Sequence, residues 1–197
     1  MGNREDLLAG AKRCLIEKGY AATTARDIAA ASGVSLAAIG YHFGSKDALM
    51  NQAVFDSVGD WAADLQEALA AEGAPVPRSL QRFELVMSRT LESFARPGSS
   101  GLWHAQLELV ALAQRNEELR GFLAGIQEFA GTGLAELFLG MDPGAEPDAA
   151  RAAGFILHAM FIGLIAKYFL DPARAPSAPE LADGMRIIAE RITNQTR

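Results

Sequence analysis

Apolar positions along this chain recur at helical spacing, and alternating β-branched stretches of the kind that form strands are nearly absent. Leu8, Ala11 and Leu15 make one stripe near the start; Leu181, Met185, Ile188 and Ile192 make another near the end. Good helix formers fill the segments between breaks at Gly19, Gly33, Gly44, GAPVP (73–77), RPGSSG (96–101), GMDPGAEP (140–147) and DPARAPSAPE (171–180). The pattern predicts an all-α protein of about nine helices, at about 3–18, 25–32, 36–43, 46–71, 78–95, 102–115, 117–139, 148–170 and 179–194.

The first three of these helices are short and closely spaced. Gly19 falls where a helix ends in a residue of positive φ. Thr24-Ala25-Arg26-Asp27 has capping-box spacing, Thr24 accepting from the Asp27 amide and Asp27 reaching back. Ile28 and Ala29 point inward, and Gly33 stops the second helix. Ser35 is expected to cap the third helix and Ser45 the fourth, where Asp47 suits the positive end of the macrodipole. A helix, a Gly-containing turn and a second short helix make a helix-turn-helix, whose second helix fits the major groove of DNA. So small a module buries little apolar surface by itself and should lean on the long fourth helix. The expected division is a three-helix DNA-binding domain at 1–46 and a larger all-helical domain at 47–197.

Composition narrows the picture. With 197 residues, half of them hydrophobic and 21% charged, the chain is not wholly disordered. Cys14 is the single cysteine, which excludes an internal disulfide framework, fits a reducing cytoplasm, and reads as a small core residue. The net charge of −6 argues against a nucleic-acid partner if taken as an average. It is not uniform: residues 1–50 carry +1 and the remainder −7. The start, MGNREDLLAGAKR, lacks the apolar core of a signal peptide. The longest apolar run, Ala152 to Ala166, has 15 residues and includes His158. A bilayer span needs about 20 residues, so a buried helix in a cytoplasmic protein is predicted. His104 and His158 lie far apart with no ligand spacing, so neither a metal nor a cofactor is expected. There is also no clustered nucleophile and no glycine-rich phosphate loop to support an enzyme.

The segment TTARDIAAASGVSLAAIGYHFGSKDAL (23–49) resembles the DNA-binding signature of the tetracycline-repressor (TetR) family of bacterial regulators. Gly19, Thr24, Asp27-Ile28-Ala29, Gly33-Val34-Ser35, Tyr41-His42-Phe43 and Lys46 carry the likeness, which runs from Leu7 to Leu49. The rest of the chain is similar only in being all-helical. The resemblance implies a homodimer whose third helices enter the major groove of a palindromic double-stranded operator. It also implies a C-terminal domain that dimerises through its last two helices and holds a small-molecule effector, which pulls on the fourth helix to release the repressor. A ligand-independent regulator or activator is the alternative.

Site expectations follow from that resemblance. Tyr41, His42 and Lys46 match positions that touch phosphate; a phenol, an imidazole and a lysine at a helix start all suit that contact. Arg26 lies where the DNA backbone should pass, and Thr24 combines capping with a possible phosphate contact. Phe43 is expected to pack against the first helix. Base reading falls to Ser35, Leu36, Ala37, Ala38 and Gly40, an apolar face without Arg, Asn or Gln. Gly40 either allows close backbone approach, with thymine-methyl contacts by Ala37 and Ala38 and shape readout carrying more of the specificity, or only relieves crowding. Trp61, Phe83, Met87, Phe94, Trp103, Leu107, Phe122 and Phe129 lie on helices four to seven, which enclose the ligand cavity in the family, and predict a largely apolar or aromatic ligand. His104, Glu108, Gln127 and His158 are candidate polar anchors in it. The dimer face is assigned to Phe155, Ala159, Met160, Gly163, Leu164 and Ala166 on the eighth helix and to Met185, Ile188 and Ile192 on the ninth.

Overall fold

The computed structural model describes residues 2–71, 73, 77–96 and 99–193. They form α1 (Asn3–Lys18), α2 (Ala25–Ser32), α3 (Leu36–Phe43), α4 (Lys46–Ala71), α5 (Leu80–Ala95), α6 (Ser100–Ala113), α7 (Glu117–Leu139), α8 (Pro147–Leu170) and α9 (Ala178–Thr193). A 3₁₀ turn at Pro172–Arg174 precedes α9. The protein is all-α, with no strand among the described residues.

Most boundaries fall where the breaks predict them, and the exceptions have local causes. α5 starts at Leu80 rather than near 78 because Arg78 adopts φ 61 and the Ser79 hydroxyl accepts from the Arg82 amide at 3.1 Å. α6 ends at Ala113 because the next two amides bond three residues back, to Ala111 and Leu112. The Ser177 hydroxyl and the Glu180 carboxylate form a reciprocal cap that opens α9.

Packing groups the chain into two compact units. The first holds Met1–Asp64 and Ala95–Gly125; the second holds Leu65–Phe94 and Ile126–Arg197. In the first unit, α1 packs on α2, α3 and α6. Its core includes Leu7, Leu15, Ile28, Leu49, Met50, Trp103 and Leu109. Cys14 is buried there too, and its surroundings push the thiol pKa up, mainly by desolvation. α1 and α6 cross at Gly101, where a Cβ would lie 2.3 Å from the Ile16 carbonyl oxygen. Only glycine permits that approach. α1 therefore rests on α6, while Lys12 and the Tyr20 that follows α1 reach Asp60 and Asn51 of α4.

The second unit is built on aromatic contacts. Phe83 packs on Phe138 with ring centroids 5.7 Å apart, and Phe94 meets Phe161 at 6.0 Å and Tyr168 at 5.4 Å. α7 and α8 touch backbone to backbone at Gly131 and Gly154. The apolar run of α8 is covered only in part within its own unit. Leu157, Phe161, Leu164 and Ile165 are buried, whereas Phe155, Ile156 and Leu170 are exposed, Phe155 by 72%. By length and composition alone α8 could also cross a bilayer. A helix apolar on every face shows no period that marks which face its own unit covers.

Candidate nucleic-acid interface

The turn between α2 and α3 is set by local chemistry. Thr24 accepts from the Asp27 amide at 3.2 Å, and the Asp27 carboxylate accepts from the Thr24 amide at 2.8 Å, so the capping box forms. The Lys18 ammonium and the Thr24 donors beside Asp27 hold its carboxyl well below the usual carboxylate range. Gly33 ends α2 at φ 70, ψ 12, a left-handed conformation that turns the chain without Cβ strain. The Ser45 hydroxyl accepts from the Ala48 amide at 3.0 Å and caps α4. Ser35 differs from expectation: it occupies the N-cap position of α3, but its side chain makes no cap hydrogen bond. The exposed hydroxyl stays at the outer end of the helix.

Ile39 anchors α3 inward. The opposite side carries Leu36, Ala37, Gly40 and Tyr41, all exposed, at the i, i+1, i+4, i+5 spacing of one helix face. Leu36 is 50% exposed and Tyr41 85%. Tyr41 is thus a projecting side chain rather than a packing one. Its ring meets His42 edge-on at 4.9 Å. Ala38 and His42 are half-buried at the margin of the stripe, and Thr24, the N-cap of α2, and Arg26 in its first turn are exposed. A Cβ at Gly40 would meet nothing within 4 Å, so crowding inside the chain does not require glycine there.

Lys46 is less free than a solvated lysine. Its ammonium lies 2.8 Å from Asp47, 3.5 Å from the Thr23 carbonyl oxygen and 5.6 Å from the Tyr20 ring centroid. Tyr20 is buried, and its hydroxyl donates to Asn51 Oδ1 at 2.7 Å. Desolvation, with the Asp47, Glu108 and Glu118 charges adding to it, pushes the phenol up to about 12. The Tyr20 and Ala21 amides donate to the two carboxylate oxygens of Glu108 at 2.9 and 3.0 Å. Glu108, expected as a pocket anchor, instead clasps the turn between α1 and α2 from α6. Arg4 also joins this region: its guanidinium stands 5.0 Å over the Phe43 ring, so that ring packs against α1 through a cation.

Arg4 and the Glu108 clasp were missed by sequence reasoning. Arg4 is detectable only as a base on the first turn of α1. The Glu108 contact spans 88 residues and leaves no local signal.

The residues expected around a ligand fall into both units. In the first unit Trp103 is buried and packs edge-on against half-buried Trp61 at 5.0 Å; Leu107 and Phe122 are half-buried. His104 there is exposed, with Nδ1 3.0 Å from the Ser100 carbonyl oxygen. In the second unit Phe83 and Met87 are buried, Gln127 and Phe129 are exposed, and His158 is half-buried, with desolvation lowering its pKa. Among the residues expected at a dimer face, Phe155, Ala159, Gly163, Ile188 and Ile192 are exposed. Met160, Ala166 and Met185 are half-buried, and Leu164 faces the core of its own unit.

Fold and site together define a helix-turn-helix protein with an all-helical body. Residues 7–53 match the family described as bacterial regulatory proteins, tetR family. A stretch of 49 residues is 43% identical to the HTH-type transcriptional repressor AcnR of Corynebacterium efficiens, covering 25% of this chain. The match spans about a quarter (26%) of that repressor's length. Likeness in structure extends over nearly the whole chain. A protein of Streptomyces coelicolor A3(2) assigned as a transcriptional regulator superimposes with TM-score 0.68 at 24% identity, covering 94% of this chain and 97% of its own. The multidrug binding protein EbrR does so with TM-score 0.62 at 24% identity in its complex with imidazole, covering 93% and 94%. Its complex with proflavin gives 0.59 at 24% identity, covering 96% and 99%. At such identities the likeness is one of fold. Residues 7–53 are thus similar to the DNA-binding domain of the tetR family, and the chain shares the fold of the structures it superimposes on.

Proposed function

We propose that this chain is a homodimeric transcriptional repressor that lays α3 of each copy into the major groove of a palindromic operator and is released by a small-molecule effector. The outward stripe of α3, in a tetR-family domain and flanked by Arg26 and Lys46, is the observation that carries this reading. Phosphate contacts fall to Thr24, Arg26, Tyr41, His42 and Lys46, and base-edge contacts to Ser35, Leu36, Ala37, Ala38 and Gly40. Tyr41 and His42 can donate to phosphate oxygens, and the amides that open α4 beside Lys46 favour an anion there. Such a regulator acts in the cytoplasm, on the nucleoid.

Dimerisation is supported by the large apolar side chains left exposed on α8 and α9, among them Phe155, Ile156, Ile188 and Ile192. Ala159 and Gly163 on α8 let a second helix approach closely. An apolar or aromatic effector is supported by EbrR, a multidrug binding protein crystallised with proflavin. A second reading, a regulator without ligand, is favoured by Phe83, Met87 and Trp103, which are buried inside their own units.

The test is DNA affinity measured against salt, because phosphate contacts release counterions. Lys46→Ala is expected to weaken binding to specific and random duplexes alike and to lower the salt slope by about one unit. An unchanged slope, with the loss confined to one sequence, removes the phosphate role. An effector should weaken operator binding by a coupling of about 1–3 kcal/mol, and operator should weaken effector binding equally. Effector affinity that is the same with and without operator leaves the second reading.

A further inference from the structure

The exposed face of α3 has a chemical property that sharpens the proposed DNA reading and rests on it. Between Ser35 at one end and Tyr41 at the other, the outward positions are Leu36, Ala37 and Gly40. None of the three has a side-chain donor or acceptor. Every base pair presents polar groups in the major groove, and the only apolar feature there is the C5-methyl of thymine. We infer that α3 selects A·T pairs by packing Leu36 and Ala37 against thymine methyl groups in the centre of each half-site.

Two effects push the same way. Leu36 is half exposed, so it has apolar surface left to cover, and a thymine methyl covers it. Against a G·C pair the same side chain would bury the cytosine amino group or the guanine acceptors without a hydrogen bond, which is unfavourable. Attraction to one base and rejection of the others together make specificity. Gly40 contributes by absence: with no Cβ, and open space where one would stand, the helix backbone can move close enough for short side chains to reach the base edges. Ser35 and Tyr41 keep hydrogen-bonding capacity at the two ends of the stripe, where register is set. Two of the neighbouring donors are already engaged. Thr24 is held by Asp27 through its hydroxyl at 2.6 Å, and Lys46 is held by Asp47 and the Thr23 carbonyl.

The experiment starts from duplexes selected by the protein from a random pool. The enriched duplex is made twice, once with thymine and once with deoxyuridine at every thymine position, which removes only the methyl groups. Affinity for each is measured by fluorescence anisotropy at several salt concentrations. The uracil duplex is expected to bind about fourfold more weakly for each contacted methyl, with the salt slope unchanged. Leu36→Ala is expected to narrow the gap between the two duplexes, and circular dichroism should show it folded, since Leu36 lies outside the core. Equal affinity of the normal protein for both duplexes would overturn the inference. So would a gap that Leu36→Ala leaves unchanged, which would trace the effect to DNA stiffness. Failure of the underlying reading looks different: no salt-dependent binding to any duplex, and no enrichment from the pool.

Discussion

Two groups of exposed apolar side chains among the described residues are built differently. On α3 the face is small: Leu36, Ala37 and Gly40, ending in Tyr41. On α8 and α9 it is large: Phe155, Ile156, Ile187, Ile188 and Ile192. Their charged neighbours differ as well. Exposed Arg26 on α2 precedes the α3 stripe along the chain and half-buried Lys46 follows it at the start of α4, whereas Arg186 on α9 is bracketed by Asp183 and Glu190, and Arg151 on α8 pairs with Asp148. Small side chains bring the backbone itself close to a ligand that has its own grooves. Large ones offer area, at roughly 25 cal/mol per Å² removed from water, and need a matching apolar surface. On the proposed reading, exposure alone does not separate a DNA face from a protein face, and side-chain volume and the setting of nearby cations do.

Breaking the large face should have the greatest effect. Phe155→Glu combined with Ile188→Glu is expected to give a monomer in sedimentation and to lower operator affinity by about 10²- to 10⁴-fold through lost avidity. A double variant that stays dimeric would show that this face is not the interface. Next in size is the frame beneath the small face. Glu108→Ala leaves the Tyr20 and Ala21 amides without their acceptor, a loss of about 1–3 kcal/mol in urea unfolding. Glu108→Gln, which keeps one acceptor oxygen, should lose less; equal stability of all three proteins would remove the clasp. Smallest is Gly40→Ala. Its new methyl meets nothing in the chain, so helix propensity should raise stability by up to about 1 kcal/mol. The same methyl would hold α3 away from the groove, so operator affinity should fall. If stability and affinity rise together, Gly40 has no part in groove approach, and the contrast between the two faces loses its sharpest member.

What the sequence made legible was local. The glycines that stop α1, α2 and α3, and the Thr24 and Ser45 caps, act within four residues, so spacing reveals them. The identity of α3 as the outward helix followed from the same turn. The Ser35 cap was a fair expectation from residue type, yet the side chain makes no such bond. Long-range features were hidden. Nothing near Glu108 announces a partner in the turn after α1, and nothing near Gly101 announces the Ile16 carbonyl. Which face of α8 its own unit covers was not legible, because an apolar run has no polar positions to mark the face left uncovered. Pocket residues were the least legible, since an aromatic at helical spacing serves a core and a cavity equally well.

All three lysines within residues 1–64 are already paired, Lys12 with Asp60, Lys18 with Asp27 and Lys46 with Asp47. A phosphate that recruits Lys46 displaces a carboxylate rather than finding an idle cation. If the proposed DNA reading holds, wrong sites should gain little from these lysines and be left quickly, and long residence should begin where groove contacts on α3 add to the exchange.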